Sequence, residues 1–284
     1  MRIVLILLMA VLTVSAQDFI PYSEYQTKEY RAKIKKEKVK QLLVKQYRTE
    51  KNFEAGNHFI ETHFDFDSDG KLTRIHYVNT IAGETELYTL TYNGDLLAEM
   101  VFKQNEGKEL KDHPGFHQIS KFTYDANGNP IKIEKIEQSQ HGEYGSYIVK
   151  YNYDKKGKLV TIVDSLMPEP GIEPHDIKDV YYFDKNGKLF KKTTPLGEVQ
   201  YVYDKKGRLT KKHTVSTAIE ETTLFTFDTK GNVVKEDYKS SYSNTLSEYK
   251  YSDSGLKMQE KVVTTTPDET APEYYLVTYT YMTK

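Results

Sequence analysis

Asp65, Asp67 and Asp69 alternate along the segment Asp65-Phe66-Asp67-Ser68-Asp69-Gly70-Lys71-Leu72. Carboxylates at every second position ahead of a glycine turn open a calcium loop, in which hard oxygen ligands converge on one cation. The position that should supply a bidentate Glu holds His76, and the flanks read as strands rather than helices. A turn between two strands accounts for the same residues. Asp65, Asp67 and Asp69 therefore stand as a candidate metal site beside a purely structural reading.

Other chemistry-bearing groups are sparser. Asp112-His113-Pro114-Gly115-Phe116-His117 sets two histidines four apart, a zinc spacing when carried on a helix. Pro114-Gly115 opposes a helix, and no further pair nearby completes four ligands. His175-Asp176 and His141-Gly142-Glu143 are acid–histidine neighbours in loops. Acid–base catalysis needs such groups within hydrogen-bond reach and in a pocket, and adjacency shows neither. There is no cysteine, no G-x-S-x-G elbow and no phosphate-binding glycine loop. The expectation is a protein that is not an enzyme and uses no cofactor.

The most informative candidate is a row of aromatic pairs at 64/66, 122/124, 151/153, 181/183, 201/203, 225/227 and 249/251. Alternation places each pair on one face of a strand. An exposed stretch of that face would stack sugars or grip a partner, because tyrosine joins apolar area to a hydroxyl. Tyr151, Tyr181 and Tyr201 are the candidate ligand-binding residues. Alternatively the rings stack on one another and hold the sheet together.

The element that positions each pair is a hairpin. In Tyr201-Val202-Tyr203-Asp204-Lys205-Lys206-Gly207-Arg208-Leu209 the alternating aromatics form a strand, Asp204 opens a type I turn, and Gly207 supplies the positive φ of a G1 bulge. The turn predicts Asp204 opposite Arg208, Tyr203 opposite Leu209 and Tyr201 opposite Lys211. Near-copies recur from Phe64 to the C-terminus, with turn glycines at 70, 94, 128, 157, 187, 207, 231 and 255. A unit of this period holds two strands and two turns and indicates an array. The opposite side carries variable loops, including residues 103–117, 138–146, 164–178 and 264–272. Loops on a rigid scaffold are the usual seat of binding.

Met1-Arg2, an apolar run from Ile3 to Val14 and Val14-Ser15-Ala16 describe a secretory signal peptide over residues 1–16. The run is shorter than the roughly 20 residues of a membrane span, so no transmembrane segment is expected in the mature chain. Residues 17–37 form a basic leader, read as a short helix capped near Ser23-Glu24 or as a disordered, solvated segment. Residues 38–284 form the repeat domain, beginning with a strand over Val39–Tyr47. A formal net charge of −1 gives no electrostatic case for nucleic acid.

The nine residues from Tyr201 to Leu209 resemble the YD repeat, also called the RHS repeat, nearly letter for letter. Tyr153-Asp154-Lys155-Lys156-Gly157-Lys158-Leu159 and Phe183-Asp184-Lys185-Asn186-Gly187-Lys188-Leu189 are close variants. The resemblance covers roughly residues 58–284 and is similar in kind to small secreted YD-repeat proteins of Bacteroidota. Large members of that family wind their sheets into a shell around a toxic C-terminal domain. This chain has about eight units, no separate cargo domain and no Asp-Pro self-cleavage segment, so the resemblance implies only the repeat fold.

Together these readings predict an all-β protein, an elongated antiparallel array of hairpins forming an open sheet or solenoid. The expected role is an exported, non-enzymatic binding or scaffold protein of the cell envelope, periplasmic, outer-surface or secreted, with a glycan or protein partner. An open sheet would leave edges at Val39–Tyr47 and Leu276–Tyr281, which suggests self-assembly as the alternative. A hydrolase of envelope polymers, built on the loop histidines, is a third.

Overall fold

Aromatic and β-branched residues in period-2 alternation, cut by Asp-Gly turns, give strands through almost the whole chain. The structure, a computed structural model, describes residues 22–105, 116–139, 142–166, 176–267, 269 and 271–283. The N-terminal apolar run and the loop residues His113, His141 and His175 lie outside the described residues. The strands are β1 (Val39–Thr49), β2 (His58–Phe66), β3 (Leu72–Asn79), β4 (Glu84–Asn93), β5 (Leu96–Gln104), β6 (Phe116–Tyr124), β7 (Pro130–Ser139), β8 (Gly142–Tyr153) and β9 (Leu159–Leu166). They continue as β10 (Asp176–Phe183), β11 (Leu189–Thr194), β12 (Gly197–Tyr203), β13 (Leu209–Ser216), β14 (Glu220–Phe227), β15 (Val233–Ser240), β16 (Asn244–Tyr251), β17 (Lys257–Thr265) and β18 (Glu273–Thr283).

Each strand pairs antiparallel with its neighbours in the chain, and β1 pairs with β18 as well as β2. The result is a closed barrel of 18 strands. This corrects the expected open array. The two segments read as free edges are the ones that close the wall, with Leu42 opposite Tyr281 and Tyr47 opposite Leu276. Closure satisfies backbone groups that an open sheet would leave unpaired. Self-assembly through free edges loses its basis.

The turns follow the expected chemistry with one change of register. Gly207 has φ 82°, its amide donates to the Asp204 carbonyl at 2.9 Å, and the Asp204 amide donates to the Arg208 carbonyl at 2.9 Å. Asp204 Oδ1 accepts from the amides of Lys206 and Arg208, both at 2.9 Å. Tyr203 faces Leu209 as expected. Beyond it the bulge adds one residue to the return strand, so Tyr201 faces Lys212 and Lys211 faces Val202. Lys211 therefore lies on the opposite face from Tyr201.

Pairing carries one face around the barrel. Leu42, Phe64, Ile75, Tyr88 and Phe102 share it, and the core forms there. The other face in the same strands shows Gln41, Lys45, Glu61, His63, Asp65, Arg74 and His76. A helical element decides which face is inward. Ser23–Gln26 forms a 3₁₀ turn and Lys28–Lys36 forms helix α1, capped by Thr27 Oγ1, which accepts from the Tyr30 amide at 3.2 Å. Tyr25, Tyr30 and Ile34 pack on the aromatic face against Phe64, Phe66 and Leu42.

From the same helix, the Arg31 guanidinium donates to the Asp95 carbonyl, in the β4–β5 turn, at 3.2 Å. Lys33 Nζ donates to the Gly255 carbonyl, in the β16–β17 turn, at 3.0 Å. Those turns lie six strands apart, an arc of roughly 30 Å at about 4.8 Å per strand. A nine-residue helix is only about 14 Å long, so it bridges them from inside the wall and not around its convex side. The leader read as a helix or a solvated segment is thus a plug seated in the mouth of the barrel at the Asp-Gly turns.

The outward face of β1–β3 and β7 is consequently the charged one. Lys45 pairs with Glu61 at 3.1 Å and Lys132 with Glu134 at 2.7 Å. A barrel that crosses a bilayer needs an outward apolar band about 25 Å tall, and the outward residues of β1–β3 do not provide one. No helix among the described residues is long and apolar enough to cross a membrane.

Candidate functional site

The inward face changes character part-way round. Opposite Phe64, Phe122 and Tyr151 stand Ile75, Ile133 and Ile162. At the same level, opposite Tyr181, Tyr201, Phe225 and Tyr249, stand Lys192, Lys212, Glu236 and Glu260. Nearer the turn, the inward residue opposite Tyr153, Phe183 and Tyr203 is Leu159, Leu189 and Leu209, but opposite Tyr251 it is Lys257. A charged strip therefore runs along the inner wall from β10 to β17.

At one end of the strip the charges gather, with Glu260 fully buried and Glu24, Glu236 and Lys257 half-buried. Glu260 is 0% exposed and its Oε2 accepts from the Tyr279 hydroxyl at 3.1 Å. Glu236 Oε2 accepts from the Tyr249 hydroxyl at 3.1 Å. Lys257 Nζ sits 4.3 Å from the centre of the Tyr249 ring and 5.5 Å from that of Tyr279. Glu24, from the 3₁₀ turn of the plug, lies in the field of Lys257. Burial pushes the Glu24 and Glu236 carboxyls up to about 7, pushes Glu260 up and pushes Lys257 down. Burial thus disfavours the charged form of each of these groups, and Glu24 brings the plug within the field of Lys257 on β17.

At the other end, Lys192 Nζ pairs with Asp179 at 2.7 Å and lies 5.3 Å from the Tyr181 ring centre. Tyr201, Lys212 and Thr214 face inward yet are only half-buried, so water reaches the inner wall in this sector. Phenol rings beside ammonium groups on a hydrated concave wall can stack a sugar ring and pair with an acidic group on it.

The candidate ligand residues are thus divided. Tyr151 and Tyr181 are each 4% exposed and sit in an apolar cluster with Ile133, Val149, Leu159, Ile162 and Leu189. Tyr201 packs at the edge of that cluster and keeps solvent contact. The three aspartates are not brought together. Asp65 faces outward and accepts from Gln41 Nε2 at 2.7 Å, Asp67 caps its own turn, and exposed Asp69 pairs with Lys35 of the plug at 3.0 Å. Among the described residues no group of three or more metal-binding side chains converges. His117 lies on β6, at the wall rather than in a loop.

Glu24, Glu236, Lys257 and Glu260 escaped the sequence reading. A signal was available, since Lys257 occupies the place that leucine holds in other copies. Glu236 and Glu260 were hidden by the bulge, which shifts the register one residue beyond each turn.

No family model matches the chain, and no curated protein matches it. Among solved structures, a porin-like protein from Bacteroides uniformis is similar at 11% identity and a TM-score of 0.45, over 86% of this chain and 96% of that one. The TcdB2–TccC3–Cdc42 structure is similar at 14% identity and a TM-score of 0.32 over 78% of this chain. The Photorhabdus luminescens Tc holotoxin pore gives 12% identity and a TM-score of 0.29 over 82% of this chain. This chain spans 14% of the length of each of those two chains. At such scores nothing about its activity follows from any of them, and the YD-type resemblance rests on the turn motif alone.

Proposed function

We propose that the protein is an exported, non-enzymatic binding or scaffold protein of the cell envelope, with its ligand contacts on the hydrated inner wall around Tyr201 and Lys212. The observation that supports this is the break in the inward pattern. Isoleucine lines the inner wall opposite Phe64, Phe122 and Tyr151, whereas lysine and glutamate replace it from β10 onward. Scaffold positions repeat from copy to copy, so a departure over consecutive hairpins marks residues kept for another purpose. The charged outward face of β1–β3 suits a wall standing in water, and the N-terminal apolar run suits export.

A glycan array and a pull-down from envelope extract test the reading, with Tyr201→Ala and Lys212→Ala as parallel probes. A glycan or protein partner captured by the parent chain should lose at least about tenfold in affinity with either variant, as expected for a stacking ring or a charged contact in a partly dry site. Capture that ignores both substitutions would remove the inner wall as the binding site.

A further inference from the structure

The Asp-Gly turns form one rim of the barrel, and charge is distributed unevenly around it. Three consecutive hairpins carry Asp154-Lys155-Lys156-Gly157-Lys158, Asp184-Lys185-Asn186-Gly187-Lys188 and Asp204-Lys205-Lys206-Gly207-Arg208. They hold eight cations against three aspartates. Each of those aspartates is engaged by the backbone amides of its own turn. The remaining turns are neutral or acidic, with Asp67, Asp69, Asp95, Asp125 and Asp253.

The acidic sector already has its counter-charge. Lys35 of the plug pairs with Asp69, Lys71 pairs with Asp95 at 3.2 Å, and Arg31 reaches the Asp95 carbonyl. In the basic sector Lys158, Lys188 and Arg208 lie over the rings of Phe183, Tyr203 and Phe227 in the next hairpin. Lys155, Lys156, Lys185, Lys205 and Lys206 project from exposed turn positions. Just behind these tips the outward wall carries exposed apolar side chains among its polar ones. Val160, Tyr182, Phe190, Val202 and Leu224 are 37%, 41%, 45%, 51% and 42% exposed. Val160 and Phe190 are bulge residues, and Tyr182 and Val202 face Lys191 and Lys211 across their hairpins.

We infer that this sector, the β8–β13 turn tips with the outward apolar row behind them, docks on an anionic phospholipid surface. A net excess of cations in an almost neutral chain selects a polyanionic partner. The apolar row selects the bilayer over a soluble polyanion. Val160, Phe190 and Val202 gain nothing from a charged polymer in water, whereas a headgroup interface buries apolar side chains while phosphates meet the lysines. Attachment is peripheral, because the outward charges on β1–β3 exclude insertion of the whole wall. The surface lies outside the barrel and does not depend on the inner-wall ligand.

The absence of cysteine allows a clean site-specific probe. The full chain carrying Phe190→Cys and an environment-sensitive dye should blue-shift with vesicles containing phosphatidylglycerol. The same dye on exposed outward Thr89, as Thr89→Cys, should not. Lys156→Gln, Lys185→Gln and Lys206→Gln should each weaken the apparent partition by about fivefold, and high salt should weaken it further. The inference is overturned by no shift at position 190, by an equal shift with neutral phosphatidylcholine vesicles, or by an equal shift with dextran sulfate in solution.

Discussion

The Tyr153 hydroxyl donates a 2.7 Å hydrogen bond to the carbonyl oxygen of Pro130, where the preceding hairpin begins its return strand. Tyr92, Tyr124 and Tyr251 make the equivalent bond to Leu72, Leu97 and Val233 at 2.8, 2.7 and 2.7 Å. The second aromatic of the motif is thus a staple between successive hairpins. Tyr153→Phe keeps the ring and removes only this bond, and should cost about 1 kcal/mol in chemical denaturation. A neutral Tyr153→Phe would show that the ring alone does the joining.

The turn glycines separate into two kinds. Gly157 has φ 74° and open space where a Cβ would stand, so Gly157→Ala should cost about 1–2 kcal/mol of backbone strain and leave the fold intact. Gly70 has φ 77°, and a Cβ there would strike the carbonyl oxygen of Arg31 in α1. Gly70→Ala should therefore cost more and also loosen the plug. Hydrogen exchange over residues 28–36 distinguishes the variants, with faster exchange expected only for Gly70→Ala.

Ile34 is fully buried in one cluster with Leu42, Phe64 and Leu72 although five of the nine residues of its helix are basic. Ile34→Ala should cost roughly 2–4 kcal/mol as a core truncation. Undocking would also loosen the helical backbone around Lys33, Lys35 and Lys36 and let trypsin cut there. Limited proteolysis measures it, and unchanged protection of those lysines would mean that the ion pairs at the rim suffice to hold α1.

Much of this wall could be read from the chain because each hairpin is specified locally. Asp204, Gly207 and the alternating Tyr201 and Tyr203 carry their own turn and face, and β2 begins and ends where the pattern places it. Closure has no local sign. It depends on Leu42 meeting Tyr281 across more than two hundred residues, and β1 and β18 look like edges until they meet. The plug was obscured by its lysines, since only Tyr25, Tyr30 and Ile34 mark the buried side. The inner charged strip was obscured by the bulge, which moves Lys212 rather than Lys211 to the face of Tyr201.

The buried carboxyls should give the protein an unusual pH dependence. Burial raises the Glu24 and Glu236 carboxyls from an ordinary 4.5 to about 7. Between those values the folded chain binds more protons than the unfolded chain, so stability falls as pH rises through this window and levels off above it. Lys257, lowered by burial, acts with the opposite sign and only above its own reduced value. The turn aspartates, held below 3.8, act only at lower pH. Each of the two glutamates contributes a swing of order 3 kcal/mol at most. Thermal unfolding should therefore give a higher Tm near about pH 5 than near about pH 8, against the usual trend for acid-sensitive proteins. Glu24→Gln and Glu236→Gln should each flatten the difference while keeping size and hydrogen bonding. A Tm that rises steadily from about pH 5 to about pH 8 in the parent chain would mean that these carboxyls stay ionised in the barrel, paired with Lys257 rather than neutral beside it.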